Sequence, residues 1–327
     1  MLVLNQGIVL VTIIKEIEKA GIRVDKDVDL SKRTWIKTGG VCAYWIMPAT
    51  TEQLSKACKC LFANSIKFDI VGQTSNMYFH STYNPQVVVS TIEVNSFEIK
   101  DDTLICGCGV SVMKLARECL ALGYAGFYGL VGLPGTVASA VVNNAGCFQC
   151  SISSMLISAD ILNIDGTIET IYKKDFHFSK RSSAFKRGDR KGVILSVKMQ
   201  LQRSGNVEEE KKKAENTKVY RKNHQEGYKS NLGSVFAVRK QRHNVRNIIA
   251  LLTAKIFNLF KISSFSYARK NILLWLYRCS ELKRYISDKN INTFVWRDEY
   301  AENAFEKYKQ FMSKVYKNLE IEIEEKK

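Results

Sequence analysis

The stretch VGLPGTVASAVVNNAG (Val131–Gly146) has no charged side chain, one proline and three glycines, in a chain of 327 residues that carries 49 Lys+Arg and 32 Asp+Glu. A buried strand does not open on Gly-Leu-Pro-Gly, because proline removes a ladder donor and glycine favours turns. The stretch instead reads as a tight turn from Gly132 to Gly135, then a short apolar helix capped by Thr136. It closes on the amides Asn143 and Asn144 and on the small pair Ala145-Gly146, which leave room for a flat ring. A second turn of this kind, VGQTSN (Val71–Asn76), ends an apolar run. Gly72 allows close backbone approach there, and Thr74, Ser75 and Asn76 supply donors. Successive backbone N–H groups in such turns hold phosphate, and a helix N-terminus receives a pyrophosphate. Two glycine-rich turns ~60 residues apart suit a dinucleotide such as FAD. They do not match the G-x-G-x-x-G spacing of a nicotinamide-dinucleotide unit.

Around these turns the apolar pattern alternates between strands and helices. AYWIMPAT, FDIVGQTSN and QVVVST read as strands, and TEQLSKACKCLFANS and SVMKLARECLALGY as helices, the first with Thr51 as a possible cap. LISADILNIDGTIETIY and GVILSVKMQLQ (within 155–202) alternate as strands, with Asp165-Gly166 as a hairpin turn. The charge run 207–225 has no apolar stripe and reads as a solvated helix or linker. A basic, apolar, helix-like region follows from Val245 to Tyr285. The chain then places Ala304, Tyr308, Phe311 and Val315 on one helical face, and LEIEI (319–323) reads as a final strand. The fold class expected is α+β, with a first domain over 1–206, divided near 95–105, and a smaller α+β domain over 207–327.

The net charge of +17 is uneven, with 27 Lys+Arg against 15 Asp+Glu over 203–327. Such a surface suits an anionic partner. Six of the nine cysteines form three close pairs, Cys58/Cys60, Cys106/Cys108 and Cys147/Cys150, but only Cys147-Phe-Gln-Cys150 has a zinc-type gap and no second such pair exists. No metal is expected, and the cysteines read as reduced, mostly buried small hydrophobes. His80, His177, His224 and His243 have no sequence partner that marks a site. The apolar run Ile8–Ile14 is too short to span a bilayer and lacks the frame of a signal peptide, so a cytoplasmic protein without a membrane span is expected.

Six segments occur in a telling order: IKTGG (36–40), VGQTSN, GLPGTVASAVVNNAG, FSKRSSAFKR (178–187), NLGSVF (231–236) and LEIEI. In this order the chain resembles the UDP-N-acetylenolpyruvoylglucosamine reductase family over nearly its whole length. The resemblance implies an FAD-binding fold of the vanillyl-alcohol oxidase type with two α/β subdomains, followed by a smaller substrate-binding domain. It implies noncovalent FAD, NADPH as reductant, and reduction of an enolpyruvyl ether on UDP-N-acetylglucosamine to UDP-N-acetylmuramate in peptidoglycan synthesis. The cofactor-binding residues expected are Gly72, Thr74, Ser75, Asn76, Gly132, Gly135, Thr136, Asn144, Ala145 and Gly146. By its place in the family's Y-R-x-S-x-F motif, Arg181 would stabilise the enolate. Ser234 matches the family's proton donor and Glu322 its C-terminal glutamate.

The chain departs from the family in several places. Ala138-Ser139 replaces a glycine pair, Lys180 a tyrosine, Ala237-Val238-Arg239 a Lys-Asn-Pro, Asn290 a histidine, and Tyr128 an acidic residue. These changes bear on the sugar nucleotide more than on FAD. Two alternatives follow: a paralog that keeps FAD but acts on another nucleotide sugar, and an inactive binding protein. Aromatic residues interleaved with cations in SFSYARKNILLWLYR favour the second, whereas Arg181, Ser234 and Glu322 together oppose it. The partner expected is a UDP-sugar, not nucleic acid, with a monomer favoured.

Overall fold

A computed structural model of the chain describes residues 2–227 and 230–327. Its first elements are α1 (Leu2–Lys19), β1 (Arg23–Asp29), β2 (Val41–Met47), α2 (Thr51–Ala63), β3 (Asp69–Val71), β4 (Met77–Phe79), β5 (Val87–Ser90), β6 (Phe97–Lys100) and β7 (Thr103–Gly107). The middle of the chain adds α3 (Val112–Ala121), α4 (Val137–Val142), β8 (Gly146–Cys147), β9 (Cys150–Ser151), α5 (Ile152–Met155), β10 (Leu156–Leu162), β11 (Ile168–Tyr172), α6 (Ala184–Arg187) and β12 (Val193–Gln200). The remainder forms α7 (Val207–His224), β13 (Phe236–Gln241), α8 (Val245–Leu259), α9 (Phe265–Leu276), α10 (Ala301–Val315), β14 (Tyr316–Ile321) and β15 (Glu324–Lys326).

The chain divides into two compact units. The first holds Met1–Asp29, Val41–Thr74 and Asn84–Lys218. Its sheets are a four-stranded one in the order β1-β2-β5-β3 and a five-stranded antiparallel one in the order β11-β10-β12-β7-β6. In the four-stranded sheet β5 runs parallel to both β2 and β3, while β1 is antiparallel to β2. All four residues of β5, Val-Val-Val-Ser, are buried, as a parallel strand covered on both faces requires. Helices α2 and α3 cover apolar positions with Leu54, Leu61, Leu115 and Cys119. Ser111 caps α3, but the cap of α2 is Thr50 rather than Thr51: its Oγ1 accepts the Gln53 N–H at 3.2 Å. Thr51 is the first helical residue, because the preceding threonine already has the extended backbone a cap needs. The loop between β10 and β11 turns at Gly166, φ 86°, and Asp165 Oδ1 accepts the Thr167 N–H at 2.9 Å.

The second unit combines Val219–Lys327 with two early segments, Leu30–Gly40 and Ser75–Tyr83. Its core gathers Ile36 and Tyr78 from those segments with Val235, Phe294, Phe305, Tyr308 and Phe311. The face of α10 expected from the sequence is buried: Ala304, Tyr308, Phe311 and Val315. Two strand pairs complete it, β13 antiparallel to β14 and β15 parallel to β4. The LEIEI segment is therefore not one strand. Ile321 ends β14, Glu324 begins β15, and Glu322 lies in the gap. Together the elements make an α+β fold.

Candidate functional site

In the first unit the two glycine-rich turns meet. The Gln73 Oε1 accepts the Gly135 N–H at 2.8 Å. A Cβ built on Gly72 would lie 2.5 Å from Thr136 Oγ1, so only glycine lets the end of β3 approach the Thr136 cap. Gly132 and Gly135 take φ values of 78° and 123°, open only to glycine at low cost. Thr136 caps α4 in a reciprocal box with Ser139, whose Oγ accepts the Thr136 N–H at 3.1 Å. The Val137 and Ala138 N–H groups donate to Val110 and Cys108 carbonyls at 2.8 and 3.0 Å. Every backbone N–H from Gly135 to Ser139 is thus bound within the unit. The sequence suggested that the start of this helix receives a pyrophosphate. Its amides are instead closed by pairing and capping, and α4 has only six residues.

The far end of α4 leads to the Arg181 turn. Asn144 has φ 43°, and its Nδ2 donates to the Ser179 carbonyl at 2.8 Å. Ser183 Oγ donates to the Val142 carbonyl at 2.7 Å, and Lys186 Nζ to Asn143 Oδ1 at 2.8 Å. Ser179 and Ser182 exchange backbone hydrogen bonds of 3.0 and 3.2 Å around the two-residue turn Lys180-Arg181. Arg181, φ 56°, is half-buried and Lys180 exposed. The structure so joins the NNAG and SKRSSAF segments. Ala145 and Gly146 continue into the hairpin β8-β9. At Gly146 a Cβ would meet the Cys150 carbonyl oxygen at 2.3 Å, so this glycine serves the hairpin's packing. Asn144 Oδ1 is buried without a hydrogen-bond partner. An acceptor left that way costs free energy unless a donor reaches it. A flavin ring carries an N–H flanked by carbonyls and fits that need.

Ser234 and Glu322 belong to the second unit, Arg181 to the first. Ser234 follows Gly233, φ 72°, whose N–H donates to Asn231 Oδ1 at 3.0 Å. Asn292, fully buried, fixes the next residues. Its carbonyl accepts the Val235 N–H at 2.9 Å, its Oδ1 accepts the Phe236 N–H at 3.1 Å, and its Nδ2 donates to the Phe236 carbonyl at 2.9 Å. Asn290 Oδ1 accepts the Asn292 N–H at 3.0 Å, so the residue standing for the family's histidine braces this turn. The Glu322 N–H donates to the Val235 carbonyl at 2.8 Å. The backbone of Glu322 is therefore bonded to the residue that follows Ser234. Both side chains are half-buried.

Asn76 is drawn to the same place. Its Nδ2 donates to the Glu322 carbonyl at 3.1 Å and its own carbonyl accepts the Glu324 N–H at 2.9 Å. The expected cofactor residue thus holds the segment that carries Glu322. Beyond it, the Lys326 carbonyl accepts the His80 N–H at 2.9 Å, and His80 Nδ1 pairs with Glu302 at 2.8 Å. Burial pushes the Glu325 carboxyl up, but the charge and hydrogen bonds of the adjacent Lys309 ammonium at 3.2 Å, with Lys327 and His80, together outweigh it and hold the group below its ordinary value. Gly72 and Thr74, φ 53° and buried, stay with the first unit, whereas Ser75 and Asn76 fall to the second.

Two residues that shape these sites escaped the sequence reading. Gln73 lies inside VGQTSN, where its amide was the available signal. Asn292 lies two residues after Asn290 in the segment compared with the family's V-S-x-x-H-x-N-F motif.

Residues 42–172 match an FAD binding domain. The chain is 30% identical over 226 residues to UDP-N-acetylenolpyruvoylglucosamine reductase 1 of Bacillus cereus, covering 68% of the chain and 74% of that relative. It is 30% identical over 186 residues to UDP-N-acetylenolpyruvoylglucosamine reductase of Caldicellulosiruptor saccharolyticus, covering 57% of the chain and 59% of that relative. For the Trichormus variabilis reductase the match is 31% over 175 residues, 53% of the chain and 52% of the relative, so the chain spans little more than half the length of several curated relatives. The crystal structure of UDP-N-acetylenolpyruvylglucosamine reductase from Thermus caldophilus shares the fold, with a TM-score of 0.65, 20% identity, and coverage of 93% of this chain and 99% of that one.

Proposed function

Because the chain belongs to the UDP-N-acetylenolpyruvoylglucosamine reductase family, we propose that it is an FAD-dependent reductase using NADPH. Its proposed substrate is UDP-N-acetylglucosamine enolpyruvate, its product UDP-N-acetylmuramate, and its role peptidoglycan precursor synthesis. The observation that supports this reading is the 2.8 Å bond from the Glu322 N–H to the Val235 carbonyl, which brings the segment of the candidate carboxylate to the turn of the candidate proton donor. In the proposed division of labour, residues 1–206 hold FAD and 207–327 receive the substrate.

Bound FAD supplies the reducing electrons that NADPH delivers to it. Reduction of the enolpyruvyl double bond leaves negative charge beside the substrate carboxylate, where a guanidinium stabilises it. Arg181 is proposed for that task, since a planar fork of donors matches a carboxylate and the charge it gains appears only in the reaction. The Ser234 hydroxyl then donates a proton to the carbon next to the carboxylate, completing addition of two hydrogens across the bond. A serine is a weak acid, so it needs a fixed setting. The bonds that Asn292 and Asn231 make on either side supply one. Glu322 is proposed to assist at the same carbon. For the cofactor, Asn144 is the proposed holder in the first unit, and Gly132, Gly135 and Thr136 fix the shape of the turn beside it. The nine cysteines are all free thiols, which suits the reducing cytoplasm where nucleotide sugars are made.

The decisive experiment uses the purified protein after incubation with FAD. Yellow absorbance should bleach on adding NADPH without air and return when the enolpyruvyl substrate is added. Colourless protein would end the flavoenzyme reading. Bleaching that the substrate fails to reverse would point to another nucleotide sugar.

A further inference from the structure

Helix α8 inverts the usual order of a surface helix. The side it buries carries Asn247, Ala250 and Ala254, with Leu251 and Phe257 half-buried beside them, while six large aliphatic residues face solvent. Val245, Ile248, Ile249, Leu252, Ile256 and Leu259 are all exposed, Leu252 at 53% and Leu259 at 76%. At 3.6 residues per turn these six fall within an arc of about 100°. Arg246 and Lys255, also exposed, fall just outside its two edges by the same geometry. Phe260 follows at 70% exposure, then Lys261 and Ile262. A contiguous apolar stripe of this kind on a folded surface marks an interaction site.

The charge around the stripe selects the occupant. From Gly227 to Ser280 the sequence has no Asp or Glu, while Arg239, Arg242, Arg246, Lys255, Lys261 and Arg278 supply cations. A second copy docking stripe to stripe would bring those cations together with nothing of opposite sign. Nucleic acid would find charge, but aliphatic side chains offer no plane on which a base stacks. An anionic bilayer surface satisfies both halves: the stripe enters the boundary between headgroups and acyl chains, and the flanking cations meet lipid phosphates. The fifteen residues of α8 are too few to cross a bilayer, and among the described residues no helix is long and apolar enough to do so.

We propose that the exposed face of α8 lays the protein on an anionic lipid surface, as an interfacial helix and not a span. This adds a location to the enzyme and does not depend on its chemistry.

The test is co-sedimentation of the full chain with vesicles of equal phosphatidylglycerol and phosphatidylcholine, or of phosphatidylcholine alone. The protein should pellet with the anionic vesicles, and raising NaCl from about 0.05 to 0.5 M should lower the bound fraction at least about fivefold. Leu252→Asp with Ile256→Asp should lower it about tenfold or more, with the circular dichroism of the wild type. Arg246→Glu with Lys255→Glu, which leaves the stripe intact, should abolish the preference for anionic lipid. Ile164→Asp, at an exposed apolar residue of the first unit, should bind as the wild type does. Protein that stays in the supernatant with both vesicle types overturns the proposal. So does binding that the aspartates leave unchanged. A dimer in solution that the aspartates dissociate would make the stripe a contact between copies, and capture by an RNA duplex but not by vesicles would make it a nucleic-acid face; either overturns it.

Discussion

From Gly135 to Ser139 each backbone N–H is bound inside the first unit, whereas around Ser234 the second unit binds the neighbours on both sides and, among the described residues, no hydrogen bond engages the serine hydroxyl. The first arrangement is a cradle closed on itself: its shape is fixed before any ligand arrives, and recognition falls to the few groups left over, such as the Asn144 Oδ1. The second is a bracket, in which Asn292 and the Glu322 backbone immobilise the residues beside one reactive side chain. Fixing donors in advance lowers the reorganisation a reaction needs. A bracket of this kind suits chemistry, and a closed cradle suits binding.

The largest effect that would test this contrast is on rate. Ser234→Ala removes the hydroxyl and none of the recorded hydrogen bonds, so stability should stay within about 0.5 kcal/mol. Bleaching of the flavin by NADPH should stay near wild type, while its recovery with the enolpyruvyl substrate falls by roughly 10²–10⁴-fold, as loss of a general acid does. Equal loss in both halves, read by stopped-flow absorbance, would make Ser234 structural.

The bracket and the cradle should also differ in what holds them. Asn292→Ala strands the buried Phe236 N–H and leaves the Phe236 carbonyl to the Arg239 guanidinium at 3.4 Å, which costs about 2 kcal/mol. Its counterpart Gln73→Ala leaves the Gly135 N–H unpaired at a partly buried position and costs about 1 kcal/mol. Urea unfolding and hydrogen exchange over β13 would rank the two. A larger loss at Gln73 would mean that the cradle depends on one side chain more than the bracket does.

The smallest effect is a difference in pH response. Burial pushes the thiols of Cys106, Cys108 and Cys119 up to about 12 and that of Cys42 to about 11, from the ordinary 9.0, all in the first unit. Their contribution is complete below pH 9 and declines above it, because the unfolded thiols ionise where the folded ones do not. In the second unit, Glu302 and Glu325 are held below their ordinary 4.5; burial raises both, and it is more than offset by Ser81 and His80 together on the first and by Lys309, Lys327 and His80 together on the second. That contribution is complete above pH 4.5 and lost as pH falls through the lowered values. Hydrogen exchange followed from pH 3.5 to 9.5 should therefore loosen β4 and β15 first at the acid end, and the five-stranded sheet first at the alkaline end. Loosening of both units together at each end would show that these groups do not set the response.

Much of the first unit was legible because its signals are local. Gly132, Pro134 and Gly135 announce a turn, Thr136 a cap, and Asp165-Gly166 a hairpin, and each forms within a few residues of itself. The capping box with Ser139 is less legible, because a serine at that position stands where the family has a glycine and its hydroxyl finds a partner only once Thr136 has the extended backbone of a cap. The second unit was less legible. Nothing near residues 30–40 or 75–83 says that they join a core built after residue 219, because partners so distant leave no periodic trace. The break at Glu322 follows from the same cause: LEIEI alternates like one strand, but β14 ends on β13 at Ile321, and β15, which begins one residue past the segment at Glu324, pairs with β4. For α8, the basic, apolar, helix-like region from Val245 to Tyr285 pointed to helix but neither to its division into α8 and α9 nor to its orientation, since the apolar stripe that ordinarily faces a core here faces out.

The pairing of β15 with β4 matches Glu324 to Met77, the longest-range strand pairing among the described residues. Glu322 is bonded to the Ser234 turn at one end of that segment and to Asn76 at the other. The order of assembly follows. Helices and hairpins close quickly because their contacts are near in sequence, whereas joining segments so far apart costs loop entropy before any bond repays it. A freshly folding chain would therefore hold its sheets, and Asn144 beside the Arg181 turn, while the stretch bearing Glu322 is still searching for its place. The short strand β15 is then among the last pieces expected to find its place.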